Sequence, residues 1–343
     1  MKQVGLLFDD RYLLHDPGGR HPESPQRLRA VQRALEAFPT IDRWARIEPR
    51  PANASELELI HHARHVERVE EACKRAPACL DADTPVSGES YRIALLAAGG
   101  VIQCIDEICA GRLQRVFAFV RPPGHHAEPA RSMGFCIFNN VAVAAAYALR
   151  NHGIERVAIV DIDLHHGNGT QACFYDDPQV LFVSSHQFPL YPGTGAFSEI
   201  GTGAGRGFTL NLPLPAGTGD STVVPLYSRV VSAVLADYAP QIIIVSTGFD
   251  AYVDDPLGDL RVTARGYGSV AAALGHAADA CCQGRILFVL EGGYSQEGLR
   301  SCTSEVMSVM ESEEPREPGP AEDALFRQIS LHAAESHGGR WKW

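Results

Sequence analysis

Short, unbroken apolar runs recur along this chain, each followed by turn-forming or ionisable residues and then by a stretch with apolar positions three and four apart. Val4–Phe8, Val116–Val120, the run opening at Val157, Val180–Ser184, Phe208–Leu214, Gln241–Ser246 and Ile286–Leu290 read as strands. Runs without polar alternation belong to strands covered on both faces, as in a parallel sheet. Behind Ser24-Pro25, a helix start, Leu28, Val31, Leu35 and Phe38 fall at helical spacing. From Ser90 to about Ala110, Ile93, Leu96, Ala97, Gly100, Val101 and Ile105 form a broad apolar face with small residues, suited to close packing on a sheet. Further helices are predicted over Asn140–Asn151, from Gly167 onward, and over Ser221–Tyr238, Thr263–Cys282 and Ala321–Ser336. Strands alternating with helices predict an α/β fold with a central, mainly parallel sheet flanked by helices.

In such a sheet, ligands bind outside the carboxyl ends of the strands. His125/His126, Asp163/His165, His186, Asp250 and Tyr294 each follow one of the apolar runs. The stretch VAIVDIDLHHGNGT, Val157–Thr170, is the centre of the pattern. On an extended backbone Asp161, Asp163 and His165 point to one face, so a carboxylate and an imidazole could grip one cation. That donor pair suits zinc, whereas an all-oxygen set would suit calcium or magnesium. The competing reading is a strand-end Asp that caps the next helix, with histidines lining a polar loop. With Asp250, the set would have two carboxylates and one imidazole, which leaves a coordination position open, as in catalytic sites.

The loop RPPGHHAEPARSMGFCIFNN, 121–140, carries His125 and His126 on a backbone stiffened by proline. Imidazole titrates near neutrality, so this pair is the natural general base and acid. Tyr294, on the glycine turn EGGY, could donate to a developing oxyanion. The expected reaction is metal-assisted hydrolysis of an amide. Other histidines read differently: His61, His62 and His65 have no acidic partner in register and are expected at the surface or in packing. His21-Pro22-Glu23 is expected to be a cap with a surface ion pair.

The 343 residues suffice for one large domain, and a formal net charge of −11 excludes a general nucleic-acid binder while remaining compatible with cationic substrates. Nine cysteines, an odd number without a CxxC set, read as reduced thiols filling small apolar volumes. The start MKQVGLLF is too short for a signal-peptide core and no run is long enough to cross a membrane, so a cytoplasmic protein without membrane partners is expected. The glycine-rich stretch after His186 lacks the order of a phosphate-binding loop and is read as a rim. Residues 1–310 are expected to form the catalytic domain. In 311–343, an acidic, proline-rich linker (Glu311–Pro320) leads to a helix that packs back, with Trp341 and Trp343 as anchors or, alternatively, as a subunit contact in a homo-oligomer.

RPPGHHA at 121–127, GFCIFNN at 134–140, DIDLHHGNGT at 161–170, GFDAYVDDPLG at 248–258 and EGGY at 291–294 together resemble the zinc-dependent histone deacetylase superfamily. That superfamily has an arginase-like α/β fold and includes acetylpolyamine amidohydrolases and acetoin-utilisation proteins. The resemblance is to its class II-like, bacterial amidohydrolase members. It implies Asp163, His165 and Asp250 as zinc ligands, His126 as principal general base and acid, and His125, paired with Asp161, as its electrostatic partner. Tyr294 would polarise the acyl oxygen. Gly134, Phe135, Tyr191 and Leu257 would line a narrow channel for an acyl-lysine chain. A potassium ion would lie beside the zinc, at Asp161, Asp163 and Ser184. Asn168 replaces an aspartate that often supports the second histidine, which should make His126 less readily protonated. Members selective for acetylated polyamines resemble one another in a glutamate seven residues after the second zinc aspartate. Leu257 stands there in this chain, which favours acyl-lysine in a peptide or protein over an acetylated polyamine. An arginase-type binuclear site is disfavoured by Tyr252, where a further aspartate would be needed.

Overall fold

In the computed structural model, which describes residues 3–312 and 320–343, the apolar runs become the strands of one sheet. Among the described residues ten strands form: β1 (Val4–Phe8), β2 (Ala45–Ile47), β3 (Ala78–Cys79), β4 (Pro85–Val86), β5 (Arg115–Phe119), β6 (Val157–Asp161), β7 (Val180–Gln187), β8 (Thr209–Leu214), β9 (Ile242–Thr247) and β10 (Ile286–Leu290). Eight of them pair in the order β2-β1-β5-β10-β9-β6-β7-β8, every neighbour parallel, while β3 and β4 make a small antiparallel pair. Burial explains the composition: β5, β6, β9 and β10 are buried along their whole length, so apolar side chains fill both faces, and polar ones stand only at strand ends, at Arg115, Asp161, Ser246 and Thr247. Register aligns the functional ends, with Asp161 of β6 opposite Ser246 of β9 on one side and Ser184 of β7 on the other.

The helices are α1 (Pro25–Ala37), α2 (Ala54–Leu57), α3 (Ala63–Lys74), α4 (Ser90–Cys109), α5 (Asn140–Asn151), α6 (Asn168–Phe174), α7 (Asp220–Pro225), α8 (Ser232–Tyr238), α9 (Ala264–Cys282), α10 (Gln296–Glu311) and α11 (Ala324–Ser336). In succession α1, α10, α9 and α8 pack against one another, and α4 packs on α5. Starts are locally encoded: Pro25 sits in the first turn of α1, and the Asn139, Thr263 and Ser295 side chains accept from the backbone N–H groups of Ala142, Gly266 and Gly298. None of the helices among the described residues is long and apolar enough to cross a membrane.

Several elements depart from the sequence reading. The helix expected over Ser221–Tyr238 is interrupted by a π-helical stretch, Leu226–Val231, directly after Pro225, whose ring nitrogen has no hydrogen to donate. α10 was not anticipated, although Leu299, Cys302, Val306 and Met310 recur at helical spacing and are buried. Strand β7 runs on to Gln187, so His186 lies within the strand rather than beyond it. Of the linker expected over Glu311–Pro320, residues 313–319 lie outside the described residues. Beyond it α11 contacts β8, and Trp341 packs on Phe208 and Tyr238 while its indole N–H donates to the Gly207 carbonyl at 3.1 Å. Trp343 donates to Ser330 at 2.9 Å. All nine cysteines are free thiols and five are buried, as expected of apolar filler; Cys79 is exposed.

Candidate active site

Adjacent strands β6 and β9 deliver the first three residues. Past β6, Asp163 and His165 converge with Asp250, which follows β9, and one potential ligand atom from each lies within 4.8 Å of the others. His165 Nδ1 is 3.2 Å from Asp163 Oδ1 and 3.2 Å from Asp250 Oδ2. The second oxygen of each carboxylate is tied to the backbone: Gly292 N–H donates to Asp163 Oδ2 at 2.9 Å, and Leu164 N–H to Asp250 Oδ1 at 2.8 Å. Gly292 must be glycine here, because a Cβ would collide with both carboxylates. Burial disfavours any charge at this depth, yet the two carboxylates outweigh it and push the proton affinity of His165 up to about 10. Burial and the charge of Asp163 raise Asp250. A buried pocket with this surplus of negative charge is stabilised by a cation, and two oxygens with one imidazole nitrogen fit a zinc-like ion with an open position.

Beside this cluster, the loop after β5 sets two imidazoles with ring centroids 4.0 Å apart. His125 Nδ1 lies 2.9 Å from Asp161 Oδ2, and His126 Nδ1 lies 2.8 Å from Asn168 Oδ1. Their environments diverge. Burial opposes a charge on His125, but Asp163 and Asp161 outweigh burial and raise its pKa well above the ordinary value. For His126, burial and the neighbouring His125 and His165 drive it well below. The direction for His126 agrees with the sequence reading, while the main cause differs: burial dominates, and the Asn168 carbonyl acts weakly the other way. Glu291 Oε2 holds the loop by accepting from Gly124 N–H at 2.6 Å and His125 N–H at 3.2 Å, and burial pushes its own pKa up to about 7.

Aromatic rings surround the cluster. Tyr191 stands edge-to-face on His126 at 5.1 Å and on His165 at 6.1 Å, and is 37% exposed. Phe135 faces Tyr294 at 5.9 Å, on a backbone with φ +68°, uncommon for a residue with a side chain. Gly134 before it, at φ +57°, presses so closely on the His126 ring that a Cβ would clash. Both residues are pinned by the β3–β4 side: Gly134 N–H donates to Asp83 Oδ1 at 2.9 Å and Phe135 N–H to Thr84 Oγ1 at 3.2 Å.

Tyr294 sits on a turn held from two directions. Asp255 Oδ2 accepts from Tyr294 N–H at 2.6 Å and Ser295 N–H at 2.9 Å. Arg27 donates to the Gly293 carbonyl at 2.6 Å and the Glu291 carbonyl at 2.5 Å, with its guanidinium 5.0 Å from the centre of the Tyr294 ring. Glu23 orders Arg27 and Arg121, at 2.9 and 2.5 Å, and lies 3.4 Å from His15 Nε2. The surface ion pair expected at Glu23 is therefore a buried one, 1% exposed, because α1 packs directly behind the EGGY turn. Asp255, Arg27, Asp83 and Glu291 were not singled out from the sequence. Two of them had a local signal, Asp255 in DDPLG just after Asp250 and Glu291 as the first residue of EGGY.

Other expected site residues have different partners. The Ser184 hydroxyl bonds with His186 Nδ1 at 2.9 Å, and His186 Nε2 donates to the Gly195 carbonyl at 2.9 Å, so His186 ties down the rim loop. Leu257 is half-buried on the loop after β9, its N–H donating to Asp255 Oδ1 at 3.1 Å. His61 and His65 are buried packing residues and His62 is exposed.

Comparison with known proteins agrees with this geometry. Residues 21–310 match the model of the histone deacetylase domain. A probable deacetylase of Archaeoglobus fulgidus is 40% identical over 303 residues, covering 88% of this chain and 84% of that protein. A histone deacetylase-like amidohydrolase of Pseudomonas aeruginosa is 38% identical over 283 residues, 82% of this chain and 74% of that one. Among solved structures, the crystal structure of an HDA15 HD domain superposes with a TM-score of 0.91 at 35% identity, covering 99% of this chain and 96% of that one. With a parallel sheet that gathers carboxylates and imidazoles at its carboxyl ends, and relatives of this similarity along most of its length, the chain belongs to the histone deacetylase family.

Proposed function

We propose that this protein is a zinc-dependent amide hydrolase that deacylates acyl-lysine side chains in peptides or proteins. The observation that carries the reading is the convergence of Asp163, His165 and Asp250 within 4.8 Å, directly beside a histidine pair whose proton affinities are driven in opposite directions. Asp163, His165 and Asp250 would hold the zinc, which when bound supplies Lewis acidity toward the acyl carbonyl and a water of lowered pKa. His126 engages Asn168 through Nδ1, leaving Nε2 to take the proton of the attacking water and return it to the leaving lysine amine. His125, kept charged by Asp161 and Asp163, discourages a second positive charge on its neighbour, so His126 enters the reaction neutral. The Tyr294 hydroxyl donates to the oxygen that becomes negative in the tetrahedral state. Phe135 and Tyr191 exclude water around the aliphatic part of the substrate.

The choice of acyl-lysine rests on Leu257, which offers no anion for the secondary ammonium of a polyamine. Potassium at Asp161, Asp163 and Ser184 rests on the family resemblance alone. A side-by-side assay of the zinc-loaded protein on an acetyl-lysine peptide and on acetylspermidine, with a chelated sample as control, tests the reading. Preference for the peptide, abolished by chelation, is expected. Preference for acetylspermidine would overturn the substrate choice and make the protein an acetylpolyamine amidohydrolase; undiminished activity after complete metal removal would overturn the metal mechanism.

A further inference from the structure

Asn168 stands between His126 and a residue outside the cluster described above. Its Oδ1 is 2.8 Å from His126 Nδ1, and its amide nitrogen donates to Glu128 Oε1 at 2.9 Å and lies 3.4 Å from the sulfur of Met133. Asn168 is 7% exposed and Glu128 is half-buried. A primary amide is nearly symmetric in shape, so its two orientations are separated only by the neighbours that receive its ends. Both neighbours on the nitrogen side, a carboxylate oxygen and a thioether sulfur, are acceptors. Turning the amide over would aim Oδ1 at a carboxylate and leave a buried amide N–H₂ facing the imidazole.

We propose that Glu128 is a positioning residue that sets the tautomer of His126 through Asn168. With the amide nitrogen claimed by Glu128, Oδ1 must face the imidazole, and an oxygen there requires a hydrogen on Nδ1. The remaining nitrogen, Nε2, then carries the lone pair, in a ring whose centre lies 5.8 Å from that of His165. An amide turned the other way would donate to Nδ1 and place the hydrogen on Nε2, where it blocks proton abstraction. The carboxylate thus does at one remove what an aspartate bonded directly to the histidine would do, without adding an anion in contact with the ring. This deepens the reading of His126 as the group that moves the proton, and its test does not depend on that reading.

In Glu128→Gln the acceptor becomes an amide that presents either end, so the bias on Asn168 is lost. Nitrogen NMR of the His126 ring in the zinc-loaded protein, assigned by comparison with His126→Ala, reads the tautomer directly. The expected result is a shift from protonated Nδ1 toward protonated Nε2, with zinc content unchanged and kcat down by about tenfold at little change in KM. Adding Asn168→Asp restores an acceptor-only group beside Nδ1 and should return the ring to the Nδ1–H form in the double variant. A ring that stays Nδ1–H in Glu128→Gln, or a double variant that does not recover it, would overturn the proposal. A tautomer that shifts as expected with no change in kcat would instead overturn the role given to His126, leaving the positioning by Glu128 intact.

Discussion

Acid should destabilise this fold through a histidine that takes no part in catalysis. His61, 1% exposed, bridges the loop of the histidine pair: its Nδ1–H donates to the Glu128 carbonyl at 3.2 Å, and Nε2 accepts from Asn139 N–H at 2.9 Å. A second proton would go on Nε2 and set two donors against each other at the start of α5. Burial, with the nearby His65, lowers the pKa of His61 to about 3. Because the folded value lies below that of the unfolded chain, near 6.5, this contribution to stability is complete above pH ~6.5 and is lost as pH falls toward the folded pKa. At pH 5, the unfolded chain is favoured by about 1.5 pH units of proton binding, or roughly 2 kcal/mol. In His61→Gln, an amide can still donate to Glu128 and accept from Asn139, but it does not titrate. Urea unfolding of both proteins at pH 7 and pH 5 should show the wild type losing about 2 kcal/mol more than the variant over that interval. Comparing the two slopes removes the packing cost of the substitution. Parallel losses, within about 0.5 kcal/mol, would refute the argument that buried neutral His61 is a source of acid sensitivity.

Tyr294→Phe should lower kcat by on the order of a hundredfold or more while zinc content, measured by atomic absorption, stays intact; unchanged turnover would remove this hydroxyl from the mechanism. Asp250→Asn should weaken zinc binding by more than about a hundredfold in a chelator competition, since it removes a direct ligand from a three-residue set. Asp255→Asn leaves the Tyr294, Ser295 and Leu257 amides short of acceptors, so circular dichroism melting should report a loss of about 1–3 kcal/mol, with turnover falling alongside. Gly134→Ala, forced against the His126 ring at a positive φ, should lower kcat by on the order of a hundredfold with the metal still bound.

The sequence by itself determined seven of the eight strands of the sheet, while the short β2 and the β3–β4 pair went unread. Apolar runs without alternation can be satisfied only by burial on both faces, so β5, β9 and β10 were legible within a residue or two of their observed limits, and β6 at its opening residue. Asp163 and His165 were legible as one unit because two-residue spacing on extended chain is a local constraint. Apolar spacing made α1, behind Ser24-Pro25, and α4 legible too, whereas α10 had the same signal and went unread. Only the tertiary structure decided the strand order. Inserting β10 between β5 and β9 puts the Tyr294 turn between the histidine loop and Asp250, and the adjacency of β9 and β6 brings Asp250 to Asp163. The same holds for the residues that hold these groups in place. Arg27 grips the Gly293 carbonyl across 266 residues, and Glu23 is buried because α1 comes to rest behind the turn. No spacing in the chain encodes such contacts. They arise when separately folded segments close on one another, and burial then turns side chains that would be ordinary surface ion pairs into the fixed partners of the site.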